Sequence, residues 1–235
     1  MSLLIVKNIS MEGPGILQDI LNENNIEHEI VDLDARERFP DPGKYSAIIV
    51  FGGHDSANDA TEKMTTELKM IKQAIDAGIP YLGICLGMQA LIKACGGSVH
   101  ANDVKEIGFR GEDERYYSVN ILQEYIEDPL FNGLESTLKI FHLHGETVKL
   151  TKYMQLLAIG KYCRHQIVKV SEKAYGIQGH FELTPEMFTI WIDNDPELME
   201  LDRKKLENDF ELLAEEYHNI GRKLFSNFLK IAEII

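Results

Sequence analysis

The segment YLGICLGMQ at positions 81–89 decides the expected fold, because it joins a buried strand to a helix around one cysteine. Its first residues are typical of the end of a buried strand, and the chain from Met88 onwards is typical of a helix. Gly83 and Gly87 flank Cys85, and glycine is required where the backbone turns sharply or passes close to a neighbouring chain. The segment therefore predicts a nucleophile elbow, a strand–turn–helix that presents a reactive side chain.

Two interpretations of Cys85 are open from this segment alone. A buried free cysteine at the end of a core strand is common in proteins. A cysteine at a helix N-terminus, by contrast, has its thiolate favoured by the helix dipole and by free N–H groups. The flanking glycines and the strand-to-helix setting favour the second interpretation, a reactive thiol.

The chain before this segment alternates between strand-like and helix-like patterns. Apolar strand patterns occur at residues 3–6, 28–33 and 47–51. Helical spacing follows Gly13-Pro14-Gly15 and recurs over residues 64–75, where Gly78 ends the apolar stripe. This alternation predicts an α/β fold with a doubly wound, mostly parallel sheet flanked by helices. The functional site is then expected at the carboxyl ends of the strands.

The pattern changes after Gly96. Short β-like segments predict additional antiparallel strands at residues 116–122, 138–141, 154–159, 166–170 and 175–178. Asp195 followed by Pro196 is a favourable helix start, and apolar residues then recur every three or four positions up to residue 231. We expect one or two long helices, broken or bent near Gly221. The expected organisation is a main domain at residues 1–190, with a C-terminal helical extension at residues 191–235 packed on the same domain.

Composition and charge exclude several classes of partner. The 235-residue chain has a formal net charge of −14, from 24 Lys and Arg against 38 Asp and Glu, which argues against nucleic acid or an anionic membrane. The sequence has neither an N-terminal signal pattern nor a long apolar run. Three cysteines without CxxC spacing predict neither a disulfide framework nor a zinc site, and favour a reducing compartment. A cytoplasmic soluble protein is expected.

A second informative segment, GIQGHFE at positions 176–182, contains a histidine and an acid two residues apart. At the end of a strand, His180 and Glu182 would lie on the same face. The carboxylate would then hold one imidazole nitrogen while the other faces a nucleophile, so that the pair completes a set for acyl transfer with Cys85. A solvated surface pair is the alternative, and the elbow favours the catalytic interpretation.

Gly52 and Gly53, which end the third apolar run, form a third feature. Consecutive glycines let backbone N–H groups face a ligand, as an oxyanion hole requires, although an ordinary strand-to-loop turn uses the same residues. With the elbow strand adjacent in the sheet, we favour an oxyanion hole completed by the N–H of Leu86.

Together these segments resemble the class I (triad-type) glutamine amidotransferases, and within them the GMP-synthase-like, stand-alone members. The matching stretches follow the family order over about residues 3–184: YSAIIVFGG at 45–53, the elbow with Gln89, EIG at 106–108, FHLHGE at 141–146 and residues 175–182. The elbow with Gln89 is highly specific, whereas each other stretch is weaker singly. The resemblance implies the flavodoxin-like fold of that family.

The resemblance also implies an activity, the hydrolysis of glutamine to glutamate with ammonia passed to an acceptor, and it implies no cofactor and no metal. Cys85 would attack the side-chain amide and form a γ-glutamyl thioester. His180 would act as base and then as acid, with Glu182 orienting it. Gly53 and Leu86 would donate N–H groups to the oxyanion.

The resemblance assigns the substrate pocket as well. Gln89 would help to hold the glutamine, and the segment His144-Gly145 would line the pocket, although a packing role for His144 is equally open. Three positions depart from the family pattern: Gly179 replaces a usual aromatic residue, and Phe181 and His54 each replace a common proline. These positions surround the pocket mouth and the oxyanion strand, so they bear on substrate identity more than on the triad.

Two further functions stay open beside the amidotransferase. Only helical patterns follow Thr184 and no Gly-rich phosphate loop occurs, so ammonia is expected to go to a separate chain, a synthase partner. The first alternative is a γ-glutamyl peptide or γ-glutamyl amine hydrolase with the same triad. The second is a non-catalytic regulatory or binding subunit that docks through its C-terminal helices. The amide substrate, the ammonia acceptor and the oligomeric state are left open.

Overall fold

The computed structural model describes residues 2–235, which form eleven β-strands and six α-helices. The strands are β1 (Leu3–Lys7), β2 (His28–Asp32), β3 (Ala47–Val50), β4 (Tyr81–Ile84), β5 (Ser98–Gly108), β6 (Ser118–Ile121), β7 (Thr137–Lys139), β8 (His142–Lys149), β9 (Gln155–Ile159), β10 (Ile167–Ser171) and β11 (Ala174–Ile177). The helices are α1 (Ile16–Glu23), α2 (Glu62–Asp76), α3 (Leu86–Ala94), α4 (Pro185–Asn194), α5 (Pro196–Met199) and α6 (Arg203–Ile231). The expected alternation of strands and helices in the first half is confirmed.

Nine strands form one mixed sheet in the order β2-β1-β3-β4-β11-β10-β9-β6-β7. The neighbours from β2 to β11 run parallel, and those from β11 to β7 run antiparallel. This confirms a mostly parallel sheet with additional antiparallel strands. Because β3, β4 and β11 are adjacent and parallel, the segments that follow Val50, Ile84 and Ile177 meet at one edge of the sheet.

Helices cover both faces of the parallel half, as a doubly wound sheet requires. Side chains alternate along a strand, so Leu3 and Ile5 pack in a hydrophobic cluster with α1 and α6, whereas Leu4 and Val6 pack in another with α2 and α3. Every one of these four side chains is at most 1% exposed. Burial on both faces explains why β1 reads as a continuous apolar run.

A second sheet, formed by β5 and β8 in antiparallel pairing, was absent from the sequence-based expectation. The sequences of β5 and β8, SVHANDVKEIG and HLHGETVK, are mostly polar and lack regular apolar alternation. Several of their polar side chains, including Glu106, His142 and His144, are nevertheless buried. Strand periodicity therefore fails here because functional polar groups occupy positions that apolar residues would fill.

Two expectations about the elbow and the last helix need correction. Helix α3 begins at Leu86 rather than at Met88, so Gly83 lies within β4 and Gly87 within α3, not in a connection. Helix α6 is continuous through Gly221 instead of broken there. A Cβ at that position would lie 2.2 Å from the Phe181 carbonyl oxygen, so the glycine permits close packing against the site rather than a break.

The C-terminal helices share the core of the main sheet. The expected boundary between residues 190 and 191 falls inside α4, and α6 contributes Tyr217, Leu224 and Phe228 to the cluster that contains Leu3 and Ile5. Within residues 2–235, the longest helix, α6, carries too many polar residues to cross a lipid bilayer, and the others do not qualify either.

Candidate active site

The connection between β4 and α3 is a single strained residue. Cys85 has φ 51° and ψ −110°, a conformation that residues with a side chain rarely adopt, and it is the N-cap of α3. Added Cβ atoms would lie 2.4 Å from Gly87 at Gly83 and 2.2 Å from the Val50 carbonyl oxygen at Gly87. Both glycines are therefore needed for close backbone approach, and the thiol is held at the carboxyl edge of the sheet.

Beside Cys85 lie the histidine and the glutamate expected from the sequence. The Nδ1 of His180 is 2.6 Å from Glu182 Oε1, and Glu182 Oε2 accepts a hydrogen bond of 2.9 Å from the Phe181 N–H. All three of Cys85, His180 and Glu182 are buried. The pair follows β11 in an extended segment that bridges to Phe141, so it lies beyond the strand end instead of on the strand itself.

The electrostatics of His180 suit a base that becomes charged. Burial alone lowers its pKa, but the Glu182 carboxylate and a hydrogen bond with Cys85 outweigh burial and raise the pKa well above the ordinary value. Because a carboxylate accepts at Nδ1, Nε2 is the nitrogen that serves the thiol. The arrangement can therefore transfer a proton from sulfur to imidazole and hold the resulting imidazolium.

Two aromatic residues from the C-terminal helices position the histidine. The Trp191 ring stands edge-on to His180, with centroids 4.9 Å apart and planes at 90°. The Tyr217 hydroxyl donates a 2.9 Å hydrogen bond to the His180 carbonyl oxygen. Sequence reasoning missed both residues, because each reads as one more apolar position in a helical stripe.

The glycine loop after β3 lies against the thiol. A Cβ on Gly52 would lie 3.3 Å from the Cys85 Cβ and 3.2 Å from the His180 Cε1, so only glycine leaves this space open. Leu86 is the first residue of α3, and its N–H therefore has no acceptor within the helix. Gly53 backs onto Asn8 and also lines the cavity in front of Cys85. The three residues expected to form an oxyanion hole are thus brought together around Cys85.

Two buried acids that the sequence did not single out support this loop. Asn8 donates 3.3 Å and 2.9 Å hydrogen bonds to the Phe51 carbonyl and to Glu67 Oε1. Glu12 Oε2 would lie 2.7 Å from a Cβ on Gly52. Burial raises the pKa of Glu12 and that of Glu67 to about 7 each. No sequence pattern marks them, since each is a lone acid whose burial depends on residues far along the chain.

A cavity of about 380 Å³ opens in front of Cys85 and has an acidic lining. It is lined by Gly53, His54, Asp55, Ser56, Cys85, Leu86, Gln89, Leu143, His144, Gly145, Glu146, Asp195, Pro196 and Glu197. Ion pairs neutralise three of the carboxylates: Asp55 with Lys63, Asp195 with His54, and Glu197 with Lys105. Glu146 instead accepts hydrogen bonds of 2.9 and 3.1 Å from the Ser56 hydroxyl.

The expected pocket residues differ in what their side chains contact. Gln89 Nε2 donates to Gln178 Oε1 at 3.3 Å and to the Glu146 carbonyl oxygen at 3.4 Å, which ties α3 to the cavity wall. His144 lines the cavity, but its Nδ1 is 3.0 Å from the same carbonyl oxygen. Gly145 completes this wall, with the Lys105 side chain packed where a Cβ would point.

The three departures from the family pattern have local explanations. A Cβ on Gly179 would lie 2.5 Å from Ile140 Cδ1 and 2.7 Å from His142 Nδ1, so a larger residue cannot fit there. Phe181 is buried in the main cluster, where its ring lies 6.2 Å from that of Tyr217. His54 pairs with Asp195 at 3.0 Å and so links the glycine loop to the start of α5.

Among residues 2–235, one group of side chains has the composition and spacing to hold a metal ion. Atoms of Glu106, His142 and His144 lie within 4.8 Å of one another, and all three residues are buried. Burial, followed by the charges of His144 and His180, lowers the pKa of His142 well below its ordinary value. This group adjoins the cavity through His144 and contains none of the reactive residues.

Comparison with known proteins supplies an independent view of this arrangement. The model of the family glutamine amidotransferase class-I matches residues 16–195. A glutamine amidotransferase-like protein of Salmonella typhimurium, YfeJ, is 29% identical over 193 residues, which cover 79% of this chain and 78% of that protein. One chain of a two-part, glutamine-hydrolysing GMP synthase from Methanococcus maripaludis is 35% identical over 113 residues, 47% of this chain and 54% of that one.

Full-length GMP synthases match only in part. The synthase of Thermosipho melanesiensis is 26% identical over 190 residues, 80% of this chain, and the match spans 34% of the synthase. Among solved structures, a glutamine amidotransferase of Thermotoga maritima superposes with a TM-score of 0.86 at 24% identity, over 99% of this chain and 98% of that one. One from Methylobacillus flagellatus gives 0.85 at 23% identity, over 98% and 94%. These structures share the fold.

Proposed function

The chain belongs to the class-I glutamine amidotransferase family, and on that premise we propose that it hydrolyses the side-chain amide of glutamine with Cys85 as nucleophile. The observation that carries the proposal is the buried relay of Cys85, His180 and Glu182. Its 2.6 Å imidazole–carboxylate contact stands beside a thiol at a strained turn, in front of a cavity. A structural cysteine needs neither the strain nor the relay.

The proposed reaction proceeds through a covalent thioester. The Cys85 proton moves to His180, and the sulfur attacks the amide carbon to form a C–S bond and an oxyanion. Collapse of the oxyanion breaks the C–N bond as His180 returns the proton to the leaving nitrogen, which departs as ammonia. Water, deprotonated by His180, then attacks the thioester, and glutamate leaves as the sulfur regains its proton. Glu182 keeps the imidazole oriented throughout.

The oxyanion and the substrate have complementary surroundings. We assign the N–H groups of Gly53 and Leu86 to the oxyanion, with Gly52 leaving the space open. Glu146 is the lining carboxylate held by a hydroxyl instead of a cation, so it suits the α-ammonium group of glutamine. Gln89 fixes this wall to α3 through the Glu146 carbonyl and does so beside the nucleophile.

The ammonia acceptor is proposed to be a separate synthase chain. The similarity to the Methanococcus maripaludis chain and to part of the Thermosipho melanesiensis enzyme supports a synthase partner, because both carry the name of a glutamine-hydrolysing GMP synthase. The similarity to YfeJ, over 78% of that protein, is compatible with a chain that acts without a fused synthase. Amidotransferase activity in isolation is therefore the first property to measure.

A second candidate, hydrolysis of γ-glutamyl amines or peptides, is favoured by the extent of the cavity. The lining continues past Cys85 to Pro196 and Glu197 at the start of α5. A leaving group larger than ammonia would therefore have somewhere to lie. The same thioester chemistry applies, with an amine replacing ammonia as the leaving group.

Labelling with a glutamine-like chloroketone, followed by intact mass and peptide mapping, tests the proposal together with ammonia release from glutamine. We expect one adduct on Cys85, suppressed by excess glutamine, and loss of turnover in Cys85→Ala. The matched control is Cys95→Ala, which removes a half-buried thiol at the other end of α3 and should change neither result.

Each other outcome points elsewhere. An adduct on Cys85 that a γ-glutamyl amine suppresses and glutamine does not would favour the second candidate. A folded protein whose Cys85 is not labelled would contradict both hydrolases and favour a non-catalytic binding role. Unimpaired turnover in Cys85→Ala would end the proposed mechanism.

A further inference from the structure

Behind the cavity wall, β5 and β8 bring two histidines and a glutamate together. His142 and His144 are two residues apart on β8 and so project from the same face. Glu106 on β5 is the direct partner of His144 in the antiparallel register. The relative exposures of Glu106, His142 and His144 are 1%, 1% and 5%. Three groups able to bind a cation are thus enclosed between two strands.

Their contacts leave electron pairs facing one another. His144 Nδ1 is 3.0 Å from the Glu146 carbonyl oxygen, and a carbonyl can only accept, so Nδ1 carries the hydrogen. In the neutral ring, Nε2 then presents a lone pair. That nitrogen is 3.1 Å from Glu106 Oε2, which also presents lone pairs, and the two atoms do not meet hydrogen-bond geometry.

The other members of the cluster add to this imbalance. His142 Nε2 lies 3.9 Å from the same Glu106 oxygen, and within residues 2–235 neither His142 Nδ1 nor His144 Nε2 has a hydrogen-bond partner. Gln166 Nε2 donates a 3.0 Å hydrogen bond to Glu106 Oε2 and holds the carboxylate in place. Leaving buried polar atoms unpaired is costly, so such a cluster calls for a ligand.

We propose that Glu106, His142 and His144 bind one divalent transition-metal ion of the zinc class. Two imidazoles and a carboxylate suit such ions better than Mg²⁺ or Ca²⁺, which prefer oxygen ligands throughout. A tetrahedral ion about 2.1 Å from each ligand needs ligand atoms roughly 3.4 Å apart. The observed 3.1 and 3.9 Å contacts to Glu106 lie on either side of that separation. Gln166 would be the outer partner that orients the carboxylate.

This site departs from the expectation of no metal that the cysteine spacing gave. Its ligands come from two strands whose pairing brings Glu106 and His144 together, and the pairing is invisible in a list of cysteines. The signal present in the sequence is the His-x-His spacing in FHLHGE. Sequence reasoning had left His144 divided between pocket lining and packing.

The proposed ion has a structural role. It contacts none of the reacting atoms, but β8 also carries the Leu143 carbonyl oxygen, 3.9 Å from Cys85 Sγ, and the Glu146 carbonyl that Gln89 contacts. Fixing β8 to β5 would therefore hold the cavity wall against the nucleophile. The site does not depend on the proposed reaction, since binding is expected in a protein that lacks the catalytic thiol.

Cobalt titration of the chelator-treated full-length protein tests this site. The titration is carried out on the Cys85→Ser variant as well as on the wild type, because the Cys85–His180 pair is itself a potential ligand for the ion. We expect one Co²⁺ per chain, with ligand-field absorption bands, and displacement by Zn²⁺. Glu106→Gln and His144→Gln should each weaken binding by about 100-fold or more. The matched control, His100→Gln, removes an exposed histidine on β5 and should bind normally.

The outcomes separate cleanly. Binding that survives in Cys85→Ser and is lost in the two cluster variants supports the site. Failure of the folded wild type to bind, undiminished binding in both variants, or loss of binding in Cys85→Ser would each overturn it. If a cluster variant does not fold, X-ray absorption of the wild-type complex decides: two imidazole ligands support the site, and sulfur or a single imidazole contradicts it.

Discussion

Backbone strain at the nucleophile leads to a prediction about stability that is independent of catalysis. Cys85 has φ 51° and ψ −110°, which costs a residue with a side chain about 1 to 3 kcal/mol. Alanine retains this cost. Glycine removes it but makes the unfolded chain more flexible, at about 0.4 to 1 kcal/mol. We therefore expect Cys85→Gly to have a free energy of unfolding about 1 to 2 kcal/mol larger than Cys85→Ala.

Urea denaturation followed by circular dichroism, with linear extrapolation, measures this difference. In a chain of this size, 1 kcal/mol shifts the melting temperature by about 2 to 4 °C, so thermal unfolding gives a second reading. Both variants lack the thiol, which removes differences in oxidation or labelling from the comparison. Equal m-values in the two variants would show that glycine did not change the compactness of the unfolded state.

The matched control uses the cysteine at the other end of the same helix. Cys95 has φ −97° and ψ 17°, so glycine relieves nothing there. Cys95→Gly should be less stable than Cys95→Ala, by about 0.4 to 1 kcal/mol. If the Cys95 pair behaves in this way and Cys85→Gly is no more stable than Cys85→Ala, the turn stores no strain and the argument from backbone geometry is wrong.

Three further predictions concern the groups around the thiol. Burial lowers the pKa of His180 but Glu182 raises it beyond that, so the charged imidazole stabilises the fold below about pH 6.5, and this is lost as pH rises through the raised pKa. Glu182→Gln should flatten that loss in urea denaturation between about pH 6 and 10, and should lower kcat by about 10²- to 10⁴-fold. Gly52→Ala should lower kcat by about 10²- to 10³-fold with the fold retained, because its Cβ would enter the space beside the thiol; Gly43→Ala, whose Cβ would meet nothing closer than 3.4 Å, should leave the rate unchanged. Glu12 has its pKa raised by burial from 4.5 to about 7, so stability should fall as pH rises through that window, by about 3 kcal/mol. Glu12→Gln should abolish this fall when denaturation at about pH 5 and pH 8 is compared.

The features that sequence reasoning predicted are those encoded within a few residues. Continuous apolar runs identified β1, β3 and β4, because a strand buried on both faces needs no distant information to be recognised. The elbow and the His180–Glu182 spacing are equally local. Placing Gly52 beside Cys85 needed only the assumption that β3 and β4 are neighbours, which the parallel pairing confirms.

The features that it missed depend on partners far apart in the chain. Strand β8 has buried polar residues because β5 covers them, and the pairing of Glu106 with His144 spans the whole connection between the two strands. The His54–Asp195 contact joins residues 141 positions apart. Gly221 looked like a helix breaker, whereas its role is to let α6 approach the Phe181 carbonyl. In each case tertiary contacts give a residue a role that its local pattern does not reveal.

The catalytic groups and the cavity wall are built on different parts of the fold, and this bears on substrate choice. Cys85 and His180 follow adjacent parallel strands of the main sheet, β4 and β11, so their separation is fixed by backbone hydrogen bonds. The wall comes from β8, which belongs to the other sheet, and from the start of α5. Changes in β8 or α5 can therefore alter which amide fits without moving the nucleophile or its base. Whether glutamine or a larger γ-glutamyl amide is cleaved is accordingly expected to depend on Glu146 and Glu197, while the thioester chemistry stays the same.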